Sequence, residues 1–327
     1  MIRIAIAGYG NLGRGVEAAL RHTDDMKLAA VFTRRNPESL SLQTEGVPAL
    51  PYDELSQHAD TIDVVILCGG SATDLPQMTP QAAASFNVVD SFDTHADIPA
   101  HFAMADAAAR GAGKVALISA GWDPGMFSIN RSYAGAILPQ GESYTFWGRG
   151  VSQGHSDAIR RIPGVIDARQ YTIPIREAVD RARSGDNPEL QTREKHMREC
   201  YVAVEDGADQ EAIEETIVTM PNYFLEYETT VHFVDLGTLE AEHSGMPHGG
   251  RVIHSAVSGF ENEHTQTIEY SLELGSNPEF TGSVLVAAAR AVYRLHSAGT
   301  VGAVTMLDVP PALLSPLSPE EQRARLL

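Results

Sequence analysis

Three glycines follow a short apolar run at the very start of the chain, in the stretch IRIAIAGYGNLGRG. The spacing G-x-G-x-x-G is formed by Gly8, Gly10 and Gly13. Residues 4–7 predict a strand and a helix is predicted to begin near Asn11, so the glycines fall on a strand-to-helix turn. There the first glycine permits the bend, the second lets a pyrophosphate approach the backbone, and the third lets the helix pack closely on the strand. The pattern predicts a dinucleotide site, although glycine-rich turns also have purely structural roles.

The end of the next predicted strand favours one dinucleotide over the other. Residues 28–36, LAAVFTRRN, end about where an NAD-binding domain places a carboxylate on the ribose 2'-hydroxyl. This chain has Thr33, Arg34 and Arg35 there instead. Guanidinium groups match a 2'-phosphate, which a carboxylate would repel. We therefore expect NADP(H) rather than NAD(H), the alternative being a solvated arginine pair at a strand end.

Composition limits the classes of partner. The chain has 327 residues, of which 43% are hydrophobic, and this length predicts about two domains. Lys and Arg number 24 against 43 Asp and Glu, so the net charge of -19 argues against nucleic acid or an anionic membrane as a partner. No apolar run reaches the roughly 20 residues of a membrane span and no signal peptide precedes the first strand, which predicts a cytoplasmic protein. Cys68 and Cys200 are too few for a disulfide framework and lack metal spacing.

Strands and helices alternate up to about residue 121, which is typical of a doubly wound Rossmann domain. Further strands are predicted at 61–70, 87–93 and 113–121, and a helix at 99–111. After residue 150 the pattern changes to strands with few short helices, and the predicted elements here and just before it are strands at 143–148, 170–175, 199–204 and 229–237 and a helix at 281–298. We expect an α/β fold in which residues 1–121 bind the dinucleotide and residues 122–299 form an α+β substrate-binding and dimerisation region. The tail from about 300 to 327 is expected to pack back on the first domain.

Chemically useful side chains fall at the predicted carboxyl ends of the strands, where open α/β sheets bind ligands. The third strand ends in GGSATD (69–74), the fourth at Asp93, and the fifth at Trp122 and Asp123. Two carboxylates and an indole are thus expected at one edge. The alternatives are that Asp93 or Asp97 caps a helix and that residues 123–125 form an ordinary turn.

Several segments together resemble one family over nearly the whole chain. They are GYGNLGRG, TRRN, CGGSATD, GWDPGMFSINR, TFWGRGVSQGHSDAIRRIPGV and HSGMPHGG. In order and spacing they resemble meso-diaminopimelate dehydrogenases. The resemblance implies a dimeric NADP-dependent enzyme that reversibly deaminates the D-centre of meso-2,6-diaminopimelate to L-2-amino-6-oxopimelate and ammonia. The segments around 36–50 and 255–265 and the tail SPEEQRARLL depart from the family.

The same resemblance implies roles for individual residues. Asp93 and Asp123 are expected to contact the D-centre amine as catalytic residues, with Asp123 favoured for proton handling. The expected substrate contacts, several of them to the distal L-centre, are Asp97, Trp122, Met126, Phe146, Trp147, Thr172, Arg198, His248 and Asn277. The expected cofactor contacts are Gly8, Tyr9, Gly10, Asn11, Leu12, Gly13, Thr33, Arg34, Arg35, Cys68, Gly69, Ser71, Ala72 and Thr73. No residues have convincing metal-ligand spacing, so no metal is expected.

Three alternatives to this function stay open from the sequence. One is a broader D-amino acid dehydrogenase. A second is a different NADP oxidoreductase on the same architecture, of the dihydrodipicolinate-reductase or saccharopine-dehydrogenase type. The third is a non-catalytic NADPH sensor, against which stands the joint presence of Asp93, Asp123, Arg198 and His248.

Overall fold

A computed structural model describes residues 1–327. The chain forms two compact units, the first comprising Met1–Ile129 and Pro278–Leu327 and the second Asn130–Asn277. The strands are β1 (Ile2–Ala7), β2 (Met26–Thr33), β3 (Ala49–Pro51), β4 (Val64–Leu67), β5 (Asn87–Asp90), β6 (Val115–Leu117), β7 (Glu142–Trp147), β8 (Gly150–Val151), β9 (Val165–Pro174), β10 (His196–Val204), β11 (Glu228–Phe233), β12 (His248–Ser258), β13 (His264–Leu274) and β14 (Gly302–Val304). The helices are α1 (Asn11–Leu20), α2 (Leu75–Ala83), α3 (Ile98–Ala112), α4 (Phe127–Ile137), α5 (Gln153–Arg160), α6 (Arg176–Arg181), α7 (Thr192–Lys195), α8 (Gln210–Val218), α9 (Leu236–His243), α10 (Asn277–Ser297), α11 (Pro311–Leu314) and α12 (Pro319–Leu326).

The first unit is built on a parallel sheet of seven strands in the order β14-β6-β5-β4-β1-β2-β3. Both faces of the sheet are buried. Ile4 and Ile6 of β1 point into one apolar cluster with α1 and α10, whereas Ala5 and Ala7 point into a second with α2 and α3. Burial on both faces is the reason why these strands are continuous apolar runs. The strand order runs in opposite directions from the β1–β4 pair, and the predicted doubly wound Rossmann architecture is confirmed.

The compact units divide the chain after Asn277, upstream of the boundary expected near residue 299. The predicted helix at 281–298 is observed as α10, and its buried side chains Leu285, Val286 and Val292 pack in the same cluster as Ile4 and Val16. The chain then forms β14, which pairs in parallel with β6. The first unit therefore takes the chain from Pro278 onward, because this helix covers a sheet face that would otherwise expose its apolar side chains.

The second unit contains two smaller sheets. One has the order β11-β10-β9-β8 and the other β13-β12-β7. The strands predicted at 143–148, 170–175, 199–204 and 229–237 correspond to β7, β9, β10 and β11. The sequence did not predict the long hairpin β12–β13, whose register runs from His248 opposite Leu274 to Ser258 opposite His264. Of the segment 255–265, only residues 259–263 lie between the two strands.

Candidate active site

The glycine turn has the geometry that the sequence predicts. Gly8 has φ +99° and a Cβ there would lie 2.9 Å from the Cys68 carbonyl oxygen, so a larger residue would be strained. A Cβ at Gly13 would lie 2.3 Å from the Gly8 carbonyl oxygen, which explains the close approach of α1 to β1. Gly10 is the N-cap residue of α1, and neither a side-chain cap nor an acidic residue occupies this helix end. A Cβ at Gly10 would meet nothing within 4 Å, so the turn and the helix N-terminus fit a pyrophosphate.

The Tyr9 side chain does not face this anion site. It is buried, and its hydroxyl donates a hydrogen bond to the Glu17 carboxylate. Burial and this hydrogen bond raise the pKa of Tyr9 to about 12. Burial alone would raise the pKa of Glu17, but hydrogen bonds from Tyr9, Gln43 and Thr44 outweigh it and hold that pKa below its ordinary value. Leu12 likewise packs on the apolar cluster, so both residues offer a cofactor only their backbone.

The residues at the end of β2 already have partners within the first unit. Thr33 is buried, and its hydroxyl accepts a hydrogen bond from the Arg35 N–H at 3.1 Å. Arg34 forms an ion pair of 2.8 Å with Asp74, and Arg35 donates to the Tyr9 carbonyl oxygen. Burial raises the pKa of Asp74, but the Gly70 N–H and Arg34 outweigh it and hold this pKa below its ordinary value. Two guanidinium groups and one hydroxyl thus lie beside the glycine turn, a set that fits a phosphate.

The loop after β4 links the predicted cofactor and substrate residues. Burial raises the pKa of Cys68, so its thiol stays protonated. Gly69, Ala72 and Thr73 form the turn that leads into α2. The Ser71 hydroxyl accepts a hydrogen bond of 2.9 Å from the Asp93 N–H. The loops after β4 and β5 are therefore joined directly at the expected ligand edge of the sheet.

The carboxylates at the strand ends are accessible. Asp93 and Asp97 are exposed and Asp123 is half-buried. Asp97 occupies the N-cap position of α3, but its side chain makes no capping hydrogen bond, so the alternative that it serves as a cap is not supported. Trp122 is buried with its ring edge-on to Phe127 at 5.3 Å.

The turn after Trp122 is tight. The Met126 N–H donates to the Gly121 carbonyl oxygen over 3.0 Å. This places the half-buried Met126 and Asp123 in one short turn at the end of the β6 segment. The first unit thus brings Asp93, Trp122 and Asp123 to the carboxyl edge of its sheet.

In the second unit, Arg198 lies at the centre of a cluster of polar side chains, the Arg198 group, which also contains Thr172 and Thr229. It lies on β10, opposite Thr172 on β9 and Thr229 on β11. The side chain is buried, with a guanidinium that donates to the Thr172 hydroxyl and lies 3.9 Å above the Tyr227 ring. Its Nε and the Thr229 hydroxyl are buried and have no hydrogen-bond partner. Arg198 is therefore not a solvated surface charge, and the buried guanidinium has donor capacity left for an anion.

Two aromatic residues and a histidine flank this group. Phe146 is fully buried, and Trp147 stacks on His196 with 5.3 Å between ring centroids. The Trp147 N–H donates to His196 Nε2 over 2.8 Å. Burial, followed by the charges of Arg198 and Lys195, lowers the pKa of His196 to about 3, so this ring is neutral and accepts that bond.

The segment around His248 gathers the remaining predicted contacts. His248 begins β12, its Nδ1 accepts a hydrogen bond from the Gly249 N–H, and burial lowers its pKa. The Asn277 N–H donates to the Met246 carbonyl oxygen over 3.0 Å, and Gln153 Nε2 lies 2.8 Å from the Met246 sulfur.

Several residues of this second unit were not predicted from the sequence, namely Gln153, His196, Tyr227 and Thr229. Thr229 and Tyr227 join Arg198 only through the pairing of β10 with β11, which no local pattern encodes. Gln153 lies within the segment TFWGRGVSQGHSDAIRRIPGV, and His196 lies two residues before Arg198. Closeness in sequence to these predicted features was therefore the available signal for both residues. No group of three or more His, Cys, Asp or Glu residues could hold a metal ion.

Comparisons with known proteins identify the family. The family described as Diaminopimelic acid dehydrogenase C-terminal domain matches residues 121–276. The meso-diaminopimelate D-dehydrogenase of Ureibacillus thermosphaericus is 60% identical over 326 residues, which cover 100% of this chain and 99% of that protein. The C. glutamicum DAP dehydrogenase in complex with DAP is similar with a TM-score of 0.91 and 48% identity, over 100% of this chain and 99% of that one. An engineered D-amino acid dehydrogenase bound to NADP+ is similar with a TM-score of 0.86 and 46% identity, over 100% and 99%. The chain belongs to the meso-diaminopimelate D-dehydrogenase family.

Proposed function

We propose that this protein catalyses the NADP-dependent, reversible oxidative deamination of the D-centre of meso-2,6-diaminopimelate. The products are L-2-amino-6-oxopimelate, ammonia and NADPH. The observation that carries the proposal is the buried Arg198 guanidinium, which keeps an unpartnered Nε beside Thr172 and Thr229. A buried cation with spare donors suits the carboxylate of an amino-acid substrate, and the relatives act on or bind such compounds by name.

The chemistry fits the carboxylates of the first unit. A hydride leaves the α-carbon readily only when the neighbouring amine is neutral, so a carboxylate must hold the ammonium and take its proton. Asp93 and Asp123 are assigned to this amine, with Asp123 handling the proton and Asp97 nearby. NADP+, when bound, accepts the hydride. The iminium left on the substrate is attacked by water, and collapse of the adduct releases ammonia and leaves the ketone.

The cofactor is assigned to the glycine turn and the end of β2. The uncapped N-terminus of α1 suits the pyrophosphate, and the guanidinium groups of Arg34 and Arg35 suit the 2'-phosphate. Gly69, Ser71, Ala72 and Thr73 follow the neighbouring strand β4 at the same edge. The engineered relative bound to NADP+ supports this assignment.

The distal L-centre is assigned to the second unit. Its carboxylate is expected to accept hydrogen bonds from Arg198, with Thr172, His248 and Asn277 as further polar contacts. Trp147 and Phe146, like Trp122 and Met126 in the first unit, are assigned as apolar walls that orient the substrate. Fixing both ends of the molecule selects which stereocentre meets the cofactor.

We also expect a cytoplasmic homodimer. We expect neither nucleic acid nor an anionic membrane as a partner, because the net charge of -19 opposes binding to either. No helix combines the length and apolarity needed to span a membrane. Light scattering on the purified chain tests the dimer.

The direct test of the reaction is nicotinamide absorbance at alkaline pH. The substrates are meso-diaminopimelate, its LL and DD isomers and a panel of simple D-amino acids, each with NADP+ and NAD+. Reduction confined to NADP+ and the meso isomer supports the proposal. Turnover of many D-amino acids would instead indicate a broad D-amino acid dehydrogenase, and no turnover of any would reject both.

The assignment of Asp123 is tested separately. Asp123→Asn preserves the side-chain shape and removes the base, so kcat should fall by about 100-fold or more. Asp308→Asn is the matched control, because this carboxylate only caps the turn at 305–308. Wild-type turnover by Asp123→Asn would show that another group takes the proton.

A further inference from the structure

Asp90 is a fully buried carboxylate at the last position of β5. It is not among the predicted site residues. Its two oxygens accept hydrogen bonds from four groups, namely the Thr79 hydroxyl, His101 Nε2, the Phe92 N–H and the Ser119 N–H. An ionised carboxylate has about four lone-pair sites and no donor. The four donors therefore satisfy Asp90 completely, as a buried charge requires.

Two of these donors belong to the loops that carry the proposed catalytic residues. The Phe92 and Ser119 N–H groups both donate to Oδ1, over 3.0 and 2.8 Å. The Ala120 N–H donates to the Asp90 carbonyl oxygen over 2.8 Å. Asp93 follows Phe92 directly in the chain, and Asp123 lies in the turn that follows Ser119 and Ala120. One carboxylate thus fixes the backbone at the start of both loops.

The other carboxylate oxygen is held by two helices. Oδ2 accepts from Thr79 of α2 and from His101 Nε2 of α3, each over 2.7 Å. The buried His101 ring stacks on Phe92 with 4.1 Å between centroids. Its Nδ1 is buried without a partner. The proton in the bond to Asp90 lies on Nε2, because a carboxylate oxygen only accepts.

The backbone conformation at Ser119 indicates that the loop after β6 is constrained by its surroundings. Ser119 has φ +55°, a left-handed conformation that a non-glycine residue keeps only when its surroundings impose it. The Asp90 carboxylate receives the N–H of this same residue. The hydrogen bond therefore supplies part of what keeps the Ser119 backbone in this conformation.

We propose that Asp90, supported by His101, is a positioning residue that sets the Asp93 and Asp123 loops relative to each other. This inference rests on the proposed function, because it assigns these two carboxylates to one substrate amine. A displacement of about 1 Å in such a constellation can cost about 100-fold in rate. Asp90 acts on the reaction only through the backbone that it holds.

The first test is Asp90→Asn. The amide NH2 group faces either the two backbone N–H groups, where donors meet donors, or Thr79 and His101, where the hydroxyl must rotate and the imidazole proton must move to Nδ1 before these groups can accept. Both orientations replace the carboxylate that holds the two loops by a neutral group with a single acceptor oxygen. We expect kcat for meso-diaminopimelate to fall by about 100-fold, while the KM and Kd for NADP+ stay within about two-fold of wild type. Hydrogen exchange measured by mass spectrometry should become faster in peptides that contain Phe92 and Ser119.

Asn87→Ala is the matched control. Asn87 is also buried on β5 but lies at the opposite end of the strand, where its side chain bonds the Asp63 carbonyl oxygen and the Val115 N–H. This variant should lose thermal stability and keep kcat within about two-fold of wild type. The proposal is overturned if Asp90→Asn behaves in the same way, with lower stability but unchanged kcat and unchanged exchange at the two loops.

A second pair of variants keeps the test decisive if Asp90→Asn does not fold. His101→Phe preserves the stacking on Phe92 and removes the donor, whereas His101→Gln retains an N–H at a similar distance from the backbone. We expect kcat to fall about ten-fold in the first, as for one lost buried hydrogen bond, and to be largely restored in the second. Equal kcat in both variants rejects the proposal. Absence of wild-type activity on meso-diaminopimelate rejects the proposed function instead, and the exchange experiment then still tests the loop positioning.

Discussion

Arg34 and Arg35 lie beside the glycine turn with partners of different kinds. Arg34 pairs with the Asp74 carboxylate, whereas Arg35 donates to the Tyr9 carbonyl oxygen. The sequence predicted both arginines as contacts of a 2'-phosphate, but only the fold brings Asp74 to Arg34. This carboxylate orients Arg34 before any ligand arrives, so that less side-chain entropy is lost on binding.

The joint variant Arg34→Ala/Arg35→Ala tests the 2'-phosphate assignment. Each charge-assisted hydrogen bond contributes roughly 1.5 to 3 kcal/mol, so the KM for NADP+ should rise by about 100-fold or more. The KM for NAD+, which lacks the phosphate, should change by only a few-fold. Arg21→Ala on the exposed end of α1 is the control. Equal losses for the two dinucleotides would contradict the assignment.

The lowered pKa of His196 predicts how the free energy of unfolding depends on pH. Burial lowers its pKa to about 3 in the folded state, whereas the unfolded chain has the ordinary value near 6.5. Between these values the unfolded state binds more protons, so stability falls as the pH is lowered through this window. From pH 7 to pH 5 this one residue should cost about 2 kcal/mol of unfolding free energy.

The measurement is urea unfolding of the wild type and His196→Gln at both values of pH. Glutamine can still accept the hydrogen bond from the Trp147 N–H, but it does not titrate. The difference in unfolding free energy between pH 7 and pH 5 should therefore shrink by about 2 kcal/mol in the variant. An unchanged difference would mean that the buried ring is not responsible.

At the scale of elements, α10 completes the first unit although the chain reaches it only after the whole second unit. Its amphipathic pattern predicted a helix at 281–298, and the observed helix spans Asn277–Ser297. The pattern also identified an apolar face. It did not identify the surface that this face covers, which is the sheet face with Ile4 and Ile6.

The variant Leu285→Ala measures how much burial of the apolar face of α10 contributes to the free energy of unfolding. Leu285 is fully buried in the cluster with β1, and replacing a buried leucine by alanine typically costs roughly 2 to 5 kcal/mol. Denaturant unfolding should show this loss. Tyr293→Ala on the same helix, at a side chain that is 37% exposed, should cost much less. A comparable loss in both variants would show that α10 is not anchored by its buried face.

At the scale of the whole molecule, the proposed cofactor contacts all lie in the first unit, whereas the Arg198 group lies in the second. Ligands that bind only the folded state raise stability by mass action. Cofactor binding should therefore appear as a thermal shift that does not depend on turnover. The acidic composition, with a net charge of -19, makes specific phosphate contacts necessary for an anionic ligand.

We expect NADP+ at about 100 times its Kd to stabilise the first unit by about 2.7 kcal/mol and to raise its Tm by roughly 5 to 10 °C. NAD+ at the same concentration should give a smaller shift. Differential scanning fluorimetry of the wild type and Arg34→Ala/Arg35→Ala provides the comparison. Identical shifts with the two dinucleotides in the wild type would argue against a 2'-phosphate site.

The sequence by itself determined the features that depend on near neighbours in the chain. The glycine spacing specified the strand-to-helix turn, because Gly8 must adopt a positive φ and Gly13 must admit a close helix. A short apolar run predicted β1, whereas alternation predicted β7 and helical spacing predicted α10, because these patterns follow from local backbone geometry. The motifs in order along the chain also sufficed to predict the family.

Only the tertiary structure decided which distant residues meet. Arg198 joins Thr172 and Thr229 through strand register, and Asp90 joins His101 and Ser119 through packing of three elements. The tertiary structure also determines that the Tyr9 side chain contacts Glu17 and that α10 belongs to the first unit. These pairings depend on chain topology and on satisfying buried polar groups all at once, and no window of neighbouring residues contains that information.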